Sequence, residues 1–148
     1  MPAKFRFNAL LDLRRQQRDE AGAALGQANE AITKVNAQID EIKTERVALR
    51  NTDDVKRQGH VSVDALLAHG RYDLQLQADV GALQSTVAEL TAEMEKRRAT
   101  LVEAEAELKR FEKLKENEEA EFRALQSKRE KAEADEVSTR RYALQRQR

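Results

Sequence analysis

Between Leu76 and Phe111 the apolar residues fall at Leu76, Val80, Leu83, Val87, Leu90, Met94, Leu101, Ala104, Leu108 and Phe111. Their spacing alternates four and three, with one polar interruption at Arg97. That is a heptad seam with its a and d positions filled, and strict strand alternation fails at once. A lone helix would leave the whole stripe in water, so the seam demands a second helix with a matching one. The chain supplies it upstream: Ala21, Leu25, Ala28, Ile32, Val35, Ile39, Ile42 and Leu49, interrupted by Arg46.

The breakers divide these two seams. The one proline stands at position 2, so both seam regions are free of it. Asn51, Thr52, Asp53 and Asp54 compete with helix through their own side chains, and Gly59 follows. Ser62 is suited to cap the next helix, with Asp64 in its first turn. Gly70 is a candidate bend in it. The pattern predicts an all-α fold, a long antiparallel two-helix coiled-coil hairpin spanning 1–148 as a single unit. Helix one covers about 5–50, the loop about 51–61 and helix two about 62–143. The small start of the first seam, Ala21, Gly22, Ala24, Gly26 and Ala28, reads as close helix approach.

The arms are unequal. With Leu49 near the loop, Phe7 falls opposite roughly Leu108 at ~1.5 Å per residue on each helix. Helix two then overhangs from about Glu112 onward. Its seam decays there: Lys115 and Glu118 replace apolar residues, Phe122 and Leu125 return, then Arg129, Ala132 and Glu136 follow. The end turns basic, with Arg140, Arg141, Arg146 and Arg148, and the N-terminal segment is basic too.

Several function classes recede on chemistry. The 27 basic and 27 acidic residues cancel, so bulk charge points to no nucleic acid, and no continuous basic stripe runs along either helix. Without cysteine there is no disulfide or thiolate site. No apolar run suits a leader or direct membrane insertion, so a cytoplasmic protein is expected. A two-helix coil offers no deep pocket, and no phosphate loop or catalytic constellation is present. His60 and His69 read as exposed histidines in and just after the loop rather than metal ligands. The expectation is a chain that is not an enzyme, has no catalytic or metal residues and needs no cofactor.

Phe5-Arg6-Phe7, then Leu10-Leu11-Asp12-Leu13-Arg14, and distally Lys131-Ala132-Glu133-Ala134-Asp135-Glu136 with Arg140-Arg141-Tyr142, resemble the flagellar export protein FliJ family. The resemblance covers essentially the whole chain. It implies a part of the flagellar type III protein export apparatus, serving flagellum biogenesis and motility, with a fold similar to the gamma stalk of rotary ATP synthases. It further implies that the chain is the central stalk of the hexameric flagellar export ATPase, promoting ring assembly, contacting the cytoplasmic part of the membrane export gate and handling export chaperones. Its place would be peripheral, at the basal body on the inner membrane.

Matched residue by residue, the family's gate-binding surface falls at Gln38, Ile42, Glu45, Leu49, Tyr72 and Leu76. The ATPase-binding positions implied are Phe5, Phe7, Asp135, Glu136, Arg140 and Arg141. The chain departs from the family pattern in three places: aromatics are favoured where Glu45 and Leu49 stand, and a small residue where Asp79 stands. Ile42, Leu49 and Leu76 also lie on the seam, so core packing explains them as well as docking does. Two other readings stay open: the stalk of a related virulence-type secretion ATPase, and a generic coiled-coil chaperone or adaptor. A chaperone hairpin should have an apolar tip, however, and Asn51 to Gln58 is polar.

Overall fold

A computed structural model describes residues 2–57, 59 and 62–147, with side chains at 7–52, 59 and 62–147. Two helices account for nearly all of them: α1, Pro2–Arg57, and α2, Val63–Arg146. No strand occurs among the described residues. Alanine, leucine, glutamate, lysine, arginine and glutamine dominate both helices, and each loses little on entering a helix. Ser62 caps α2, its Oγ accepting from the Ala65 N–H at 3.1 Å, and Asp64 lies in the first turn. The fold is all-α, a helical hairpin.

Two sequence expectations on continuity are corrected. α1 runs through Asn51–Asp54 to Arg57. These residues cost only a few tenths of a kcal/mol each in a helix, and Thr52 turns its hydroxyl to the Ala48 carbonyl at 2.9 Å, a bond that fits within the helix. α2 also passes through Gly70 without a break and with ordinary backbone dihedrals.

The chain divides into two compact units, Met1–Arg18 with Ala104–Arg148, and Asp19–Glu103. In the second, Arg46 meets Asp73 while Arg97 reaches Ala24, so α1 is read backwards as α2 is read forwards. Its core is Ala28, Ile39, Leu76 and Val80. The other seam positions there, including Leu25, Ile32, Val35, Ile42, Leu49, Leu83, Val87, Leu90, Met94 and Leu101, are half-buried. Burial this partial is what a two-helix seam allows, because each apolar stripe is covered from one side only.

In the first unit Leu11 and Leu108 are buried, Phe7 is half-buried, and the Arg14 guanidinium lies 4.9 Å over the Phe111 ring. The sequence-based register would have set Arg14 about ten residues earlier on α2. Cover extends to Lys115, Glu118 and Glu119, all half-buried. From 120 to 147 every residue is exposed. The overhang therefore begins near Ala120 rather than Glu112.

Candidate docking surfaces

Both seams are interrupted by arginine, and both arginines span the two helices. Arg46 Nε donates to Asp73 Oδ1 at 2.9 Å in a part-buried ion pair. Arg97 donates to the Ala24 carbonyl at 2.7 Å and to Glu93 Oε1 at 3.1 Å. Facing Arg97, α1 carries small residues on and beside its seam, Gly22, Ala24 and Ala28, which lets a guanidinium reach main chain. A methyl at Gly22 would sit 4.0 Å from Leu101 Cδ1, ordinary van der Waals contact. The small residues thus make room for a long polar side chain.

Beside the Arg46–Asp73 pair, the Tyr72 hydroxyl donates to the Glu45 carboxylate across the helices. This bond raises the Tyr72 pKa above its ordinary value, assisted by desolvation and by the negative charges of Glu45 and Asp79. Asp73 is held below the usual carboxylate range, first by the hydrogen bond from Arg46. The charges of Arg46 and Arg50 add to this, while desolvation works against it. Asp79 is half-buried and accepts from Gln75 at 3.0 Å.

Of the six gate-patch candidates, Glu45 and Tyr72 are thus in direct contact. Gln38 is exposed, and Tyr72 keeps 45% of its surface open. Ile42 and Leu49 are half-buried seam residues, and Leu76 is 5% exposed and belongs to the core. The acid at position 45 has a visible use as the acceptor that fixes the tyrosine. Sequence reasoning did not pair these two. The signal was available, since both stand one residue before a polar seam position, Arg46 and Asp73.

At the other candidate surface Phe7 is half-buried, while the side chain of Phe5 lies outside the described residues. Asp135, Glu136, Arg140 and Arg141 are all exposed. Glu136 and Arg140 pair at 3.1 Å one turn apart, and Arg146 sits 5.8 Å over the Tyr142 ring. These are helix-surface interactions worth a few tenths of a kcal/mol each. They leave the charges available to a partner.

Among the described residues no three His, Cys, Asp or Glu side chains group as a metal site. His60 lies outside the described residues, and His69 is on α2, half-buried at a seam position rather than exposed. No described helix is long and apolar enough to cross a membrane.

The family model described as the flagellar FliJ protein matches residues 3–147. No curated protein and no solved structure matches the chain.

Proposed function

The chain belongs to the flagellar FliJ protein family, whose members are non-catalytic flagellar export components, and from that premise we propose that it is the central stalk of the hexameric export ATPase. In this reading it promotes ring assembly, touches the cytoplasmic part of the membrane export gate and hands on export chaperones. It works in the cytoplasm, peripherally at the basal body, without entering the membrane.

One observation supports the stalk above all. α2 runs on from 120 to 146 with every residue exposed, about 40 Å of helix at ~1.5 Å per residue. Packing among the described residues does not account for it. Its exposed charges, with Arg140 and Arg141 near the end, suit a ring lumen of complementary charge. Many weak polar contacts hold a stalk without locking it. Phe7 and the neighbouring first-unit residues would lie at the rim.

For the gate, the fixed Glu45–Tyr72 pair with Gln38 offers an aromatic edge bordered by carboxylates. Ile42, Leu49 and Leu76 would support it from beneath.

Truncation before Asp135 should abolish stimulation of ring assembly, and charge reversal of Arg140 and Arg141 together should reduce it. This would be read by electron microscopy of ATPase rings. Neither change alters any residue of the gate patch, so gate binding should survive. Loss of gate binding with ring stimulation intact would exchange the two assignments.

A further inference from the structure

Counting heptads outward from the seam, Glu45 and Tyr72 share one flank of the second unit. Val47, Leu67, Gly70 and Leu74 fall on the other. Leu67 and Leu74 are 54% and 64% exposed, and Val47 and Val63 are exposed with them. Leu67, Gly70, Arg71 and Leu74 stand at i, i+3, i+4 and i+7, the four corners of a coiled-coil hole. At Gly70 an added Cβ would meet nothing within 4 Å. The hole is therefore open to its floor. A mid-helix glycine costs about 1 kcal/mol against alanine, and no neighbour among the described residues requires one here. The rim is basic: Arg71 is a corner, and Lys43 and Arg50 lie one turn to either side of Val47.

The overhang carries the matching knob. Phe122 is 57% exposed and Leu125 is exposed one turn on, both at seam positions. Glu116, Glu118, Glu119 and Glu121 precede or adjoin them, against Lys115 and Arg123. Arg123 is engaged with the Glu119 carbonyl at 3.3 Å.

We infer that two copies of this chain associate by docking the Phe122–Leu125 segment of one into the Gly70 hole of the other. The ring of Phe122 fills the space over Gly70, Leu125 lies against Leu67 or Leu74, and the glutamates face Arg71, Lys43 and Arg50. The interface joins two different surfaces, so it is heterologous, and each chain carries both halves. It is distinct from the flank that holds Glu45 and Tyr72.

The test is sedimentation velocity of the full chain from low to high micromolar at low ionic strength. The wild type should sediment faster as concentration rises, and added salt should remove the increase. Gly70→Leu should remain monomeric while melting no lower than wild type, because the new side chain fills the hole and replaces a poor helix former. Phe122→Ser with Leu125→Ser should also remain monomeric. A mixture of the two variants should associate again, since one keeps the knob and the other keeps the hole. Should Gly70→Leu fail to fold, Leu67→Ser with Leu74→Ser removes the hole from an exposed surface and takes its place. A wild type that stays monomeric throughout, a variant that associates as wild type does, or a mixture that fails to recover would each overturn the inference.

Discussion

The stretch of α2 from Leu76 to Phe111 and the stretch from 120 to 147 are built from the same helix-forming residues, yet they are stable for different reasons. In the first, every tenant of the seam is at least half covered, including Arg97. In the second, Phe122, Leu125, Arg129, Ala132 and Glu136 occupy the same heptad positions and all are exposed. The first is held by burial. The second has only propensity and pairs such as Glu136–Arg140, and an isolated helix is marginal in water on those terms. Helix-forming sequence therefore says where a helix can form, and the seam residues say whether it is held.

The sharpest way to break this contrast is to truncate one seam leucine in each stretch. Leu76→Ala should cost about 2–5 kcal/mol, as buried leucines do, and lower the melting temperature accordingly. Leu125→Ala should stay within about 0.5 kcal/mol of wild type. Equal shifts in thermal circular dichroism would mean that the overhang is packed after all.

A smaller effect tests the polar links of the paired stretch. Because the Asp73 pKa is lower in the folded chain than in the unfolded one, its contribution is present above the ordinary value of about 3.9. It is lost as pH falls through the lower folded value. Asp73→Asn should therefore be less stable than wild type at neutral pH and converge with it in acid. For Tyr72 the sign is reversed: its pKa is raised, so its contribution is full below pH ~10 and lost as pH rises through the folded value. Tyr72→Phe should flatten that alkaline loss, followed by denaturant titration across the alkaline range. Parallel pH profiles for wild type and either variant would leave the corresponding link without energetic weight.

The smallest shift has the opposite direction. Gly81 lies within the paired stretch, and an added Cβ would meet nothing within 4 Å. Gly81→Ala should raise stability by about 0.5–1 kcal/mol. A loss instead would mean that the α2 backbone there is approached by something outside this chain.

The seams were legible because a two-helix coil writes its packing directly into a 3.5-residue period. Ala28, Ile39, Leu76, Val80 and Leu108 are buried where helical spacing put them. The turn was less legible. Asn51, Thr52 and Asp53 signal a stop by local preference, but each preference is small, and α1 absorbs them through Arg57. The residue that Arg14 faces and the point where cover ends also differ from the sequence-based register. Arg46 and Arg97 looked like flaws in the seam, because a period of apolar residues carries no information about what a polar residue reaches. The Glu45–Tyr72 bond depends on the register between helices as well, and its one sequence signal is that each residue stands beside a polar seam position.

The links made by Arg46 and Arg97 have a mechanical consequence. Two smooth apolar seams can slide past each other by a heptad and find equivalent packing, and some coiled coils carry signals by such strokes. Here a stroke of seven residues would pull Arg46 from Asp73 and Arg97 from the Ala24 carbonyl at once, breaking both part-buried links between the helices. Translation of one helix along the other is thereby latched within the second unit. Any force delivered to that pair must be carried as bending or as rotation of both helices together.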